Sequence, residues 1–138
     1  MQISRALLGE VVAHAREEAP NECCGMIATR DGVATAVHRT RNIHNSPLRY
    51  EMEPNEQLRV LSAIEDAGLE LGAIYHSHTR SAPEPSPTDV NLAKFWPEPL
   101  YVIVGLNGDE PEVRAWRIVD GTVDEAVLEV HDGTPAGG

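Results

Sequence analysis

The sequence predicts an α/β domain built as a mixed β-sheet with helices packed on its faces. Three observations lead there. Hydrophobic periodicity switches between helical and strand-like along the chain, in the order helix, two strands, helix, strand, helix, three strands. Two Asp-Gly dipeptides, Asp31-Gly32 and Asp120-Gly121, sit between β-prone runs, where they favour tight hairpin turns. A length of 138 residues with 41% apolar content suits a single domain. That domain is expected at residues 1–130, followed by a flexible tail at 131–138 whose small, polar residues show no apolar period.

Each element has a local reason. Residues 4–18 place Leu7, Leu8, Val11, Val12 and Ala15 at helical spacing, with Ser4 as a cap and Pro20 as a stop beyond the end. Residues 24–29 and 33–40 flank Asp31-Gly32 and read as a hairpin. The stretch 42–52 is polar, contains Pro47, and reads as loop with a short strand at 49–52. A second helix is expected at 54–67, with proline in the tolerated first turn, Leu58, Leu61 and Ile64 on one face, and Gly68 as its stop. Residues 71–76 form a short apolar strand that runs into a polar loop at 79–85. Ser86 caps a third, shorter helix with Pro87 in its first position. The β-branched run at 100–106 reads as a central strand covered on both faces, and 112–119 and 122–130 as two further strands joined at Asp120-Gly121.

Acidic residues outnumber basic ones 22 to 11, a formal charge of −11 that excludes nucleic acid and anionic membrane surfaces as partners. No apolar run reaches the ~20 residues of a membrane span. Glu10 interrupts the apolar stretch at 6–12 that would otherwise imitate a signal peptide. The two cysteines, Cys23 and Cys24, are adjacent and cannot staple a loop, which points to a reducing, cytoplasmic home. Within this acidic chain, residues 37–50 carry Arg39, Arg41 and Arg49 and no acid, a basic island expected to meet an acidic partner domain.

One pair among the six histidines has metal-ligand spacing. His76 and His78 stand at i and i+2 at the end of a predicted strand, so both point to one face, about 6.6 Å apart. Asp89 follows in the first turn of the helix that Ser86 caps. Two imidazoles and a carboxylate suit zinc, and three protein ligands leave the fourth tetrahedral position to water, as in a hydrolytic site. Water held there ionises near pH 7 and becomes a nucleophile. A base must take its proton and hand it to the leaving amine, and spacing does not choose among the chain's many acids. Ser86 and Asp89 also have a purely structural reading, as a helix cap and an acid at the positive end of the helix dipole.

Together, His76, His78, Ser86 and Asp89 fit H-x-H-x7-S-x2-D without a gap, and Pro20-Asn21-Glu22-Cys23-Cys24-Gly25 fits P-x-E-x-C-G upstream. The chain thereby resembles the JAMM (MPN-plus) metallopeptidases, over roughly residues 2–130. The resemblance implies a cytidine-deaminase-like α/β fold and one zinc per chain, held by His76, His78 and Asp89 with a water as fourth ligand. It also implies Glu22 as the base and Ser86 as the group that steadies the oxyanion. Within the family the chain is similar to peptidases that release cysteine from the C-terminal Gly-Gly of a ubiquitin-like sulfur carrier in cysteine biosynthesis. The wider family implies an alternative, removal of a ubiquitin-like modifier from protein lysines. A Gly-Gly tail permits close backbone approach and would pair with an exposed strand edge.

Two features depart from the pattern: Cys23 stands beside the expected Cys24, and the bulky Phe95 and Trp96 follow the site helix, where they either line a substrate groove or join the core. The chain has no room for long insertions of the kind that select polyubiquitin linkages. Competing readings are a noncatalytic scaffold on the same fold and a closed structural zinc site completed by Cys23 or Cys24. Zinc deaminase chemistry is excluded, since neither H-x-E nor P-C-x-x-C is present. The terminal Gly137-Gly138 imitates the end of a ubiquitin-like protein and reads as flexible tail.

Overall fold

Ser4 closes a short strand, β1 (Gln2–Ser4), and caps the first helix, α1 (Arg5–Glu18), its hydroxyl accepting the Leu7 N–H at 3.1 Å. The structure is a computed structural model that describes residues 1–132. The Asp31-Gly32 turn joins β2 (Cys24–Arg30) to β3 (Val33–Thr40), and both turn residues adopt positive φ, 50° and 79°. Next come α2 (Pro54–Asp66), β4 (Glu70–His78), α3 (Pro87–Ala93) and β5 (Leu100–Gly105), then β6 (Glu112–Val119), β7 (Thr122–Ala126) and β8 (Glu129–His131). Asp120-Gly121 makes the second positive-φ hairpin, between β6 and β7. Among the described residues no helix is long and apolar enough to cross a membrane.

All eight strands form one mixed sheet in the order β7-β6-β5-β4-β2-β3-β1-β8. The parallel β4–β5 pair lies at its centre, with antiparallel partners on either side. β7 and β8 occupy opposite edges, yet only Val127 and Leu128 separate them in the chain. Three Cα steps cover at most ~11 Å, so the sheet must curl until its edges approach one another.

Strand alternation divides the core into two. Inside the curl, Ile27, Ala73, Tyr75, Val102, Val104 and Ala115 cluster with Val11 and Ala15 of α1. On the opposite face, Met26, Ile74, Tyr101, Ile103 and Trp116 cluster with Val60 and Ile64 of α2 and Ala93 of α3. β4 therefore sends Tyr75 towards α1 and Ile74 towards α2 and α3.

Four local expectations change. β1 escapes sequence reading because three residues carry no measurable period. Leu58 is 66% exposed, and α2 buries Val60 and Ile64 instead. The segment 49–52 forms no strand, only an isolated bridge between Asn42 and Met52. Residues 122–130 are two strands, because the chain leaves β6 after Ala126 and continues as a parallel partner of β1. His131 consequently belongs to β8, opposite Ser4, rather than to a tail. Residues 133–138, including Gly137-Gly138, lie outside the described residues.

Candidate metal centre

His76 and His78 both fall inside β4, on the face shared with α2 and α3, and are buried. Asp89 is presented by the first turn of α3, where a reciprocal capping box holds it: its N–H donates to Ser86 Oγ at 3.1 Å and its Oδ2 accepts the Ser86 N–H at 2.9 Å. The cap that explains Ser86 and Asp89 structurally thus also aims the carboxylate at the histidines. His76 Nε2, His78 Nε2 and Asp89 Oδ2 form a triangle with sides of 3.2, 3.1 and 3.0 Å. Ligand atoms around a tetrahedral zinc with bonds of 2.0–2.1 Å stand ~3.3 Å apart, so the triangle is close to one face of that tetrahedron.

His78 Nδ1–H donates to the Ala82 carbonyl at 2.9 Å, which fixes the ring and turns Nε2 towards Asp89 Oδ2, 3.0 Å away. Burial alone would lower His78, but Asp89, the Ala82 carbonyl and Glu22 outweigh it and raise its pKa above the ordinary value. Glu22 is 4% exposed and its Oε1 has no hydrogen-bond partner among the described residues. Burial pushes its carboxyl up to about 8, opposed by His78 and reinforced by Asp89. Burial would also raise Asp89, but His76, His78 and the Ser86 N–H together hold it well below the ordinary carboxylate range. The donor set and the orphaned Glu22 oxygen fit a metal. No other cluster of potential metal ligands occurs among the described residues.

Several supporting groups gave no signal in the sequence. Tyr50 stacks on His76, ring centroids 4.4 Å apart at 23°, and orients an imidazole whose Nδ1 has no hydrogen-bond partner among the described residues. Ser77 Oγ accepts the Cys23 N–H at 2.8 Å and ties the segment carrying Glu22 to β4. Asn42 is buried and fully used. Its Nδ2 donates to the Glu22 and Arg49 carbonyls, each at 3.0 Å, and its Oδ1 accepts the N–H groups of His44 and Glu51, each at 3.1 Å. The 79–86 loop is clamped from the sheet: Trp116 Nε1–H donates to the Pro83 carbonyl at 2.8 Å. Arg114 reaches both Glu84 and Glu125 while its guanidinium lies 4.6 Å over the Trp116 ring. That clamp holds the Ala82 carbonyl against His78.

The remaining expected residues lie around this centre rather than in it. Cys23 and Cys24 are free thiols in opposite core clusters, both pushed up to about 12 by burial, and neither joins the ligand group. Phe95 is 68% exposed and Trp96 packs against the core. With Tyr50, Met26, Ile74 and Tyr101 they line a cavity of about 330 Å³ behind the His76 stacking partner. Acids approach the basic island in space: Arg39 bonds Glu17, and Arg41 Nε lies 4.0 Å from Glu56 Oε2, at the limit of an ion pair. Only Arg49 has no carboxylate partner among the described residues. Segment composition does not show these counter-charges, which come from α1 and α2. β4, finally, is an internal strand: β2 pairs with it as far as His76 and β5 as far as His78.

A sequence profile described as prokaryotic homologs of the JAB domain matches residues 4–119. A CysO-cysteine peptidase of Mycobacterium tuberculosis is 40% identical over 127 residues, 90% of this chain and 86% of that protein. A probable TtuB-protein conjugate cleaving protease of Thermus thermophilus is 41% identical over 122 residues, covering 88% and 78%. Among solved structures, a protein from Desulfitobacterium hafniense superposes with a TM-score of 0.83 at 30% identity, covering 95% of this chain and 92% of that one.

Proposed function

The chain belongs to the JAMM family of JAB-domain metallopeptidases and is a hydrolase, and from that premise we propose that it cleaves the bond after the C-terminal Gly-Gly of a ubiquitin-like sulfur carrier, releasing cysteine. One observation carries the site assignment: two imidazole nitrogens and a carboxylate oxygen converge within 3.2 Å beside the buried Glu22, whose Oε1 has no hydrogen-bond partner among the described residues. His76, His78 and Asp89 would hold one zinc per chain, with water as fourth ligand. Zinc bound there supplies Lewis-acid polarisation of the scissile carbonyl and acidifies water.

The chain's own groups do the rest. Glu22 takes a proton from the attacking water and passes it to the leaving nitrogen as the C–N bond breaks. Ser86 Oγ accepts from Asp89, which leaves its hydroxyl proton to donate to the developing oxyanion. Tyr50 and the Ala82 carbonyl fix the two imidazoles, and the buried face excludes bulk water. The reading is supported by the relative named for CysO-cysteine. The relative named for TtuB-protein conjugates supports a second reading, an isopeptidase acting on protein lysines. The two free, buried thiols support work in a reducing cytoplasm.

The test is incubation of zinc-reconstituted protein with a Gly-Gly-terminated carrier joined either to cysteine or to the ε-amine of a lysine peptide. Mass spectrometry reads the products. Release of cysteine is the expected result; release of the lysine peptide alone would favour the isopeptidase, and release of neither would sink both.

A further inference from the structure

Resting on that reading, we infer that a polar pocket beside Glu22 is the subsite for the free α-carboxylate of the residue released, and that Arg41 is the group that binds it. A base that protonates the leaving nitrogen must lie within hydrogen-bond reach of it, so the released residue has to sit against Glu22. Glu22 forms part of the wall of a pocket of about 340 Å³, with His14, Glu18, Arg39, Arg41 and Glu56. An amino acid joined through its amine keeps one charge, its carboxylate, and needs one cation.

The wall offers two guanidiniums, and the structure separates them. Arg39 is committed to Glu17. Arg41 is 62% exposed, and its contact with Glu56 is at the limit of an ion pair, Nε to Oε2 4.0 Å. Arg49 is not in the wall. Since Glu18 and Glu56 also face the pocket, its field does not attract anions in general, and recognition rests on the short-range fork that a guanidinium offers a carboxylate. A lysine-linked protein, which places an alkyl chain at this position, lacks the carboxylate. Arg41 would therefore favour a single released amino acid over an isopeptide-linked protein.

The test compares a synthetic peptide ending Gly-Gly-Ser as the free acid with its C-terminal amide; serine replaces cysteine so that no substrate thiol competes for zinc. With zinc-loaded protein, kcat/KM is expected to favour the acid by about tenfold, and Arg41→Gln to bring the ratio within about twofold of unity. Equal cleavage of both by the unsubstituted protein, or a ratio unchanged in Arg41→Gln, would overturn the subsite while leaving the hydrolytic reading intact. Cleavage of neither by protein holding zinc counts against the hydrolytic reading. The subsite is then decided by NMR on metal-free protein: an Arg41 Nε–H shift induced by the acid and not the amide supports it, and identical responses overturn it.

Discussion

Replacing Glu22 by glutamine should make the metal-free protein more stable while removing its activity. A carboxyl held at about 8 in the fold against an ordinary 4.5 binds its proton more tightly folded than unfolded. Such a group weakens the fold as pH rises from 4.5 towards 8 and has no effect below 4.5. The difference amounts to about 1 kcal/mol at pH 5 and about 3 kcal/mol at pH 7. Glutamine keeps the shape, has no proton to lose, and removes the term at every pH. Urea unfolding of both proteins in excess chelator, at pH 5, 7 and 8, reads the gap directly. It should widen with pH and shrink when zinc is added, because a nearby cation favours the carboxylate. Hydrolysis by the zinc-loaded variant should fall by roughly 10²–10⁴-fold. A gap of zero at pH 7, or one that does not change with pH, would refute the account of Glu22 as a desolvated carboxyl.

Three further outcomes follow from the geometry. Trp116→Phe keeps the ring but loses the bond to the Pro83 carbonyl, so zinc affinity measured by chelator competition should fall about tenfold; an unchanged affinity would mean that the loop holds Ala82 without it. Gly25→Ala puts a Cβ 2.4 Å from the ring of the fully buried Tyr75, and should lower stability in thermal unfolding by about 1–3 kcal/mol. His14 donates to or accepts from Tyr75 Oη at 2.7 Å, and burial, with Arg39 nearby, lowers it to about 4. A histidine kept neutral by the fold contributes stability above pH 6.5 that is lost as pH falls towards 4, about 2 kcal/mol by pH 5. His14→Gln should flatten that part of the stability-versus-pH curve, and parallel curves for the two proteins would exclude His14 as its source.

Local chemistry made much of this legible. Asp-Gly turns, the Ser4 and Ser86 caps and the apolar run of β5 each specify their element from within a few residues, and the structure follows them. The candidate ligand trio is visible because a strand places i and i+2 together and a capped first turn presents Asp89. Glu22 was reachable only through the motif resemblance, since nothing in its neighbours reveals that it is buried without a partner. Contacts set by the sheet were out of reach: Tyr50 over His76, Asn42 at the crossing of two loops, and Trp116 beneath Pro83 pair residues 26 to 33 positions apart or join loops of no fixed period. Leu58 misled because apolar spacing on a short helix fits two overlapping faces, and packing alone chose Val60. The 122–130 run looked continuous because the switch from β6 to β1 as partner leaves no mark on composition.

The histidine-bearing strand has sheet partners on both sides, and this assigns change and constancy to different parts of the chain. The loops at 42–52 and 79–86 border the candidate centre instead, through Tyr50 stacked on His76 and the Ala82 carbonyl on His78. Those loops can lengthen, shorten or exchange residues without altering strand register. A change in those loops would reach the candidate centre through Tyr50, Asn42 and the Ala82 carbonyl rather than through the strand ladder.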